Sequence, residues 1–324
     1  MGTRTINIIN VPSDLGSVYA GKSKAPSAFK SVGIHKKLAT VGFHLTEYTA
    51  FSTGGWQSST REPNGARNEA NTVEACNKVR QTVAAALAEQ HENNKNRLST
   101  FQLVFAGECL YCPAIMSAYW DHVKGSDKRI GIIYIDADCD LYTPKESNSS
   151  GNIAGMTLTH LTLREGALDS MKRFCRPGSK STGVVDNGNI ILFGLNIDSP
   201  ANKREHLGYL FNNNFNVITS QAVQKAPQLR AKEALKWMED RVDYILVHLD
   251  VDVIDPGLFP LGNVPNWTGL GFKETMSAMK IFLKSKKTVG LSVAEVNPDH
   301  DPELKMTSQL VEEIVSGMLG RISS

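Results

Sequence analysis

Two short stretches carry carboxylates at a density that ordinary turns do not need. Asp136, Asp138 and Asp140 alternate in Ile133-Tyr134-Ile135-Asp136-Ala137-Asp138-Cys139-Asp140, and Asp250, Asp252 and Asp255 fall in Val247-His248-Leu249-Asp250-Val251-Asp252-Val253-Ile254-Asp255-Pro256. Both stretches follow hydrophobic runs of the kind buried in a sheet. Residues two apart on a strand point the same way, and where the strand turns they can converge on one point beyond the sheet. Five carboxylates gathered there repel one another, so one or more stays protonated unless a cation lies among them. Oxygen-only donors suit hard ions such as Mn²⁺, Mg²⁺ or Ca²⁺ rather than Zn²⁺. The aspartates suffice for two ions sharing bridging carboxylates. One Asp-x-Asp is as readily a strand-terminal turn or a helix cap. Two of them, each after a buried strand, favour a metal site.

The elements that must position these residues are legible as apolar runs. Strands are expected at Thr5–Val11, Gln102–Ala106, Ile130–Asp136, Asn189–Leu195, Asn214–Ser220, Tyr244–Asp250 and Thr288–Val296, with a weaker one at Phe43–Tyr48. Most are near-continuous rather than alternating, the pattern of parallel strands buried on both faces. Amphipathic helical stretches lie between them at Glu69–Gln90, Pro113–Val123, Leu229–Arg241, Phe272–Leu283 and Thr307–Leu319. The alternation of strand and helix is the α/β signature. The Gly-, Ser-, Asn- and Pro-rich stretches at 52–68 and 176–188 read as loops within one unit. The expectation is a single doubly wound α/β domain over residues 1–324, with its site at the carboxyl ends of the strands.

Composition narrows the function classes. Of 324 residues, 35 are Lys or Arg and 33 Asp or Glu, and a net charge of +2 gives no reason to expect nucleic acid or a membrane as partner. No apolar run approaches the roughly 18–20 residues that span a bilayer. No signal-peptide pattern precedes the first strand, so the cytoplasm is the expected compartment. Five cysteines are too few and too scattered for a secreted disulfide framework.

The two acidic motifs, in this order, resemble a family. Asp136-Ala137 with Asp140 and the following Thr143-Pro144 is similar to the second metal motif of the ureohydrolases, the arginase and agmatinase family, and Asp250-x-Asp252-x-x-Asp255-Pro256 to their later one. Supporting matches run the length of the chain: Ile6 to Ile9 with Gly21 and Pro26, Pro256 to Leu270, and Gly290 to Pro298. The resemblance implies one α/β domain around a mainly parallel, eight-stranded sheet, assembled as a homotrimer or a larger oligomer. Active members hold two Mn²⁺ ions, and a hydroxide bridging them attacks a guanidinium carbon to release urea. Carried over, it makes Asp136 and Asp250 bridging ligands, Asp140 a ligand of one ion and Asp252 of the other. Glu295 becomes the catalytic acid facing the substrate guanidinium, and Ser150 and Asn152 contacts for a substrate carboxylate.

Departures from the family pattern bear on activity. Ala106-Gly107-Glu108-Cys109 stands where the family has G-G-D-H, so Cys109 replaces a ligand histidine. Asp138 occupies the His position of D-A-H-x-D and is expected to replace it as a charged ligand, while Ala154 stands where a proton-transfer histidine belongs and Tyr142 where an asparagine does. Two neutral histidines and four aspartates would balance two divalent ions. The five aspartates here leave a charge of −1, and a Cys109 thiolate would make it −2. A more negative shell makes bound water less acidic, and loss of a positioned acid or base typically costs about 10²–10⁴-fold. The expectation is an arginase-like protein with an Asp-rich site for up to two Mn²⁺ and impaired L-arginine hydrolysis. The alternatives are a Mn²⁺ hydrolase of another guanidino or amidino compound, and a non-catalytic pseudoenzyme that senses a small metabolite, such as a guanidino or amino-acid ligand, or regulates a partner subunit.

Cys109-x-x-Cys112 reads either as a redox pair or, more simply, as two packed thiols at a turn, and Cys139 is expected to point away from the ligands. His248 is as readily a satisfied core residue as a partner of the site, His300 reads as a loop residue near its mouth, and Lys284, Lys286 and Lys287 as a helix C-terminus.

Overall fold

The computed structural model describes residues 5–52, 55–88, 98–179 and 181–321. Eight strands form one sheet: β1 (Thr5–Val11), β2 (His44–Thr49), β3 (Phe101–Ala106), β4 (Ile130–Ile135), β5 (Ile190–Leu195), β6 (Asn216–Thr219), β7 (Tyr244–Asp250) and β8 (Thr288–Ala294). Their spatial order is β2-β1-β3-β8-β7-β4-β5-β6, and every pairing is parallel. The chain is thus a single α/β domain, as its alternating pattern requires, with no antiparallel strand in the sheet. Ten α-helices are described: α1 (Ala25–Ser31), α2 (Ile34–Thr40), α3 (Glu69–Ala88), α4 (Cys112–His122), α5 (Thr157–Thr162), α6 (Arg204–Asn212), α7 (Ser220–Lys225), α8 (Pro227–Glu239), α9 (Phe272–Lys284) and α10 (Lys305–Leu319).

The continuous apolar runs have the meaning expected of them. Side chains of a strand alternate between faces, and here each face meets its own core. Ile132, Tyr134, Leu192 and Leu246 pack into one core with residues of α3 and α4. Ile133, Ile135, Phe193, Val247 and Leu249 pack into the other with residues of α8, α9 and α10. Every residue of β3, β4, β5 and β8 is buried, whereas the edge strands β2 and β6 are only partly covered.

Helix ends follow local chemistry. Pro113 and Pro227 lie in the first turns of α4 and α8, where no backbone donor is needed. Helix α10 begins at Lys305, two residues ahead of the expected Thr307, because the Asp301 carboxylate accepts from the N–H groups of Lys305 and Thr307 at 2.9 and 2.7 Å. Of the lysine run, Lys284 does close α9, but Lys287 serves the neighbouring helix end, with Nζ 2.9 Å from the Val242 carbonyl. Both loops expected at 52–68 and 176–188 lack helix and strand among their described residues.

Candidate metal centre

The carboxyl ends of β3, β8, β7 and β4, four neighbours at the middle of the sheet, open into a cavity of about 400 Å³. Asp136 follows the last residue of β4, Asp250 is the last residue of β7, and a short 3-10 turn (Val251–Val253) brings Asp252 round beside it. Ile135 pairs with Leu249 and Asp250 with Ala294, so Asp136, Asp250 and Glu295 leave the sheet side by side. β3 delivers Glu108 and Cys109 to the same end.

Two of these residues sit in the left-handed backbone region, Asp140 at φ 49° and Glu295 at φ 64°. Side chains disfavour that region, and such strain is kept where the surroundings over-determine it. The Asp140 carbonyl accepts from the N–H groups of Leu158 and Thr159 at 3.1 and 3.2 Å, and the Glu295 N–H donates to the Gly107 carbonyl at 3.3 Å. Gly107 must itself be glycine, since a Cβ there would lie 1.8 Å from the Ser13 carbonyl oxygen.

Each carboxylate is oriented by local donors. Asp136 accepts the Asp138 N–H at 2.7 Å and Asp250 the Asp252 N–H at 3.0 Å. The Tyr134 hydroxyl donates to Asp140 at 2.7 Å, the Asn266 amide to Asp252 at 3.3 Å, and the Ser199 hydroxyl to Asp138 at 3.3 Å. The Cys109 N–H donates to Glu295 Oε1 at 3.0 Å, and the Lys22 ammonium donates to Glu295 Oε2. The Cys109 thiol contacts Asp140 Oδ2 at 3.7 Å and the Ala154 carbonyl at 3.5 Å, and Thr157 donates to its sulfur at 3.4 Å.

Burial without a counter-ion pushes these acids up. Asp136, Asp250 and Asp252 are held well above the ordinary carboxylate range, first by desolvation and then by one another's charge. Asp138 is raised to about 6 by burial, against its bonds from Ser199 and Asn266. Asp140 is raised to about 8, the Tyr134 bond opposing burial and the neighbouring charges. Glu108 is raised to about 8 by burial, with Lys22 opposing and Glu295 adding. Burial pulls Lys22 down, but the charges of Glu295 and Glu108 outweigh it and hold the ammonium charged. The same desolvation raises the Cys109 thiol.

Two three-residue groups have donor atoms within 4.8 Å of one another: Asp136, Asp250 and Asp252, and Cys109, Asp250 and Glu295. A divalent ion fits the first group. All three are carboxylates, all are buried, and Asp136 Oδ2 has no hydrogen-bond partner among the described residues. The second group already has a cation bonded to one of its members. Asp138 and Asp140 line the cavity but belong to neither group, and Ser150 and Asn152 lie on its wall, Ser150 exposed.

Cys139 is 1% exposed and packs in the apolar core, as its alternation with the aspartates suggests. All five cysteines are free, and Cys109 and Cys112 face different partners: Cys112 Sγ lies 3.1 Å from His248 Nδ1. His248 also bonds Ser292 at 2.7 Å and stacks on Tyr134 at 4.7 Å, so among the described residues it meets the site through Tyr134. His300 is exposed, with Nδ1 3.0 Å from the Gly262 carbonyl. Sequence reasoning gave no role to Lys22, Glu108, Tyr134 or Asn266. Tyr134 lay in plain view two residues before Asp136, but a strand tyrosine reads as core. Lys22 opens a short 3-10 turn (Lys22–Lys24) between β1 and α1, where a lysine ordinarily reads as solvated.

An all-parallel eight-stranded sheet with a carboxylate-lined cavity past its central strand ends defines the class of α/β protein. The sequence matches the Arginase family over residues 4–320, and the chain belongs to that family. The arginase of Staphylococcus aureus (strain MRSA252) is 28% identical over 308 residues, 91% of each chain. The crystal structure of Entamoeba histolytica arginase in complex with L-ornithine superposes with a TM-score of 0.81 at 20% identity, covering 99% of this chain and 100% of that one. Native arginase from Bacillus caldovelox gives 0.80 at 22% identity, with 98% of each chain covered. At these identities the structural likeness concerns the fold.

Proposed function

We propose that this arginase-family protein binds a divalent metal, Mn²⁺ before others, in its aspartate basin and does not hydrolyse L-arginine efficiently. The observation that supports the reading is one cavity with two halves of opposite meaning. Asp136, Asp250 and Asp252 form a close carboxylate group with an unpartnered oxygen, while no histidine lies among the described residues of the wall. Asp136, Asp250 and Asp252 would hold the ion, with Asp138 beside them, and a bound ion supplies Lewis-acid charge. Tyr134 and Asn266 orient the carboxylates. Ser150 and Asn152 are the wall residues assigned to the carboxylate of a small amino-acid or guanidino ligand. A group to shuttle a proton is the missing part: Ala154 stands at that histidine's position, and Cys109 and Asp138 at those of the two ligand histidines. The reading extends to a cytoplasmic homotrimer, which light scattering of the purified protein tests for assembly.

Elemental analysis after incubation with Mn²⁺, followed by a urea-release assay with arginine, tests both halves. The expected result is bound Mn²⁺ with turnover at least about 10²-fold below that of an active arginase. Ordinary turnover would reject the impairment, and absence of Mn²⁺ at millimolar concentration would reject the metal site. One observation favours a second reading, hydrolysis of another amidino compound. Asp138 lines the cavity, is partly exposed and belongs to neither close donor group, so a carboxylate outside the ion's own donors faces the space a substrate would fill. Release of ammonia or urea from a panel of amidino compounds separates the two.

A further inference from the structure

A buried lysine inside a cavity lined by acids calls for a physical reason. The Lys22 side chain is 2% exposed and its ammonium is bonded to Glu295, itself 6% exposed at the side chain. Long cationic side chains stay at the surface unless a charge inside holds them. Lys22 comes from the loop between β1 and α1, which is pressed onto the end of β3 where Gly107 meets the carbonyls of Ser13 and Lys22. That contact aims the side chain into the basin from the Cys109 side.

We propose that the Lys22 ammonium takes the place of one of the two cations that the carboxylate basin would otherwise hold, so that it lowers the metal capacity of the chain by one ion. The inference rests on the metal-site reading above. It follows from what each half of the basin offers. On the Cys109 side both Glu295 oxygens are engaged, Oε2 by Lys22 and Oε1 by the Cys109 N–H. The thiol is packed among Asp140, Thr157 and the Ala154 carbonyl. A divalent ion there would have to displace the ammonium from Glu295 and then sit beside it, like charge against like charge in a dry pocket. On the other side Asp136 Oδ2 has no partner among the described residues, and Asp250 and Asp252 lie within reach of the same point. Among the described residues no cationic side chain bonds any of those three carboxylates. One half is already neutralised from within and the other is open. Glu295, the carboxylate that the family resemblance turns toward a guanidinium, is likewise already bonded to a cation.

The test compares wild-type protein with Lys22→Met and Lys22→Gln, using Mn²⁺ as the probe. Bound metal per chain is measured by equilibrium dialysis with elemental analysis, and electron paramagnetic resonance separates isolated from spin-coupled ions. Circular dichroism and thermal melts establish that each variant is folded; if Lys22→Met does not fold, Lys22→Gln, which keeps a hydrogen-bond donor and removes the charge, carries the comparison. The expected result is one Mn²⁺ more per chain in the variants than in wild type. With wild type at one ion and an isolated-ion spectrum, the variants should show two and the loss of intensity that spin coupling brings. Wild type at none and variants at one would sink the metal-site reading for the native chain and support the role of Lys22. Equal numbers in wild type and folded variants would overturn that role, as would two coupled ions in wild type.

Discussion

Glutamine in place of Glu108 should stabilise the protein at alkaline pH and leave it nearly unchanged in acid. Glu108 is fully buried, Oε1 has no hydrogen-bond partner among the described residues, and Oε2 accepts only at long range, from the Gly16 N–H at 3.3 Å and the Ser13 hydroxyl at 3.4 Å. Burial raises its pKa from 4.5 to about 8, with Lys22 opposing. A carboxyl raised in the folded state binds more protons folded than unfolded between those two values. Stability therefore falls as pH rises through that window and levels off above it. The difference, 8 − 4.5 or about 3.5 units at 1.36 kcal/mol each, sets an upper bound of about 5 kcal/mol. Relaxation and water entry reduce the cost of a buried charge, so about 2–3 kcal/mol is the expected gain at pH 9, roughly 5 °C in Tm. At pH 4.5 the two proteins should agree within about 0.5 kcal/mol. Urea and thermal unfolding at pH 4.5, 7 and 9 with chelator present would measure it. Parallel stability curves for wild type and Glu108→Gln across that range would refute the assignment of a buried, ionising carboxyl at this position.

Asp250 belongs to both close groups. Asp250→Asn should weaken Mn²⁺ binding by more than the roughly 10–100-fold typical of losing a supporting partner, while raising the melting temperature of the metal-free protein by relieving repulsion with Asp252 and Asp136. Calorimetric titration showing unchanged affinity would remove Asp250 from the site. The buried Arg321 guanidinium donates to the carbonyls of Leu283, Ser285 and Thr288 at 2.7, 3.0 and 2.7 Å and lies 4.7 Å from the Phe101 ring centre. Arg321→Leu takes the guanidinium from all three carbonyls, of which that of Ser285 keeps the Thr288 N–H, and should cost about 2–4 kcal/mol by urea unfolding; a loss under 1 kcal/mol would contradict the burial. Cys76, Cys109, Cys112 and Cys139 are at most 3% exposed, and desolvation raises all four thiols. A thiol reagent should therefore modify Cys175 alone at an appreciable rate in the native protein, and all five cysteines after denaturation.

The strands were legible because parallel strands buried on both faces leave long apolar runs, and seven such runs fall on seven strands to within two residues. The weaker eighth run, Phe43–Tyr48, falls on β2 to within one residue; its signal is fainter because this edge strand has no fully buried residue and carries polar side chains. Short helices escaped for a related reason: α1, α2, α5, α6 and α7 are too brief to show a helical period. Acids of the basin announced themselves by alternating at strand ends, a local signal. Lys22 and Glu295 lie 273 positions apart, and no local pattern joins them. Their meeting depends on how the first loop packs onto β3, which is a property of the fold. Cys109 and Ala154 were visible as departures, but only side-chain geometry shows that the thiol now contacts the Ala154 carbonyl.

The two apolar layers that sandwich the sheet continue past the strand ends through residues such as Ala137, Cys139 and Val253, which alternate with the acids. Asp136, Asp252 and Glu295 follow the strand ends and belong to neither layer, their side chains turned to the cavity instead. Chemistry and architecture can therefore drift at different rates in such a protein. An engineer could place a histidine at the partly exposed position 138 without opening those layers, whereas Cys109 is 3% exposed inside one of them and a histidine there demands repacking.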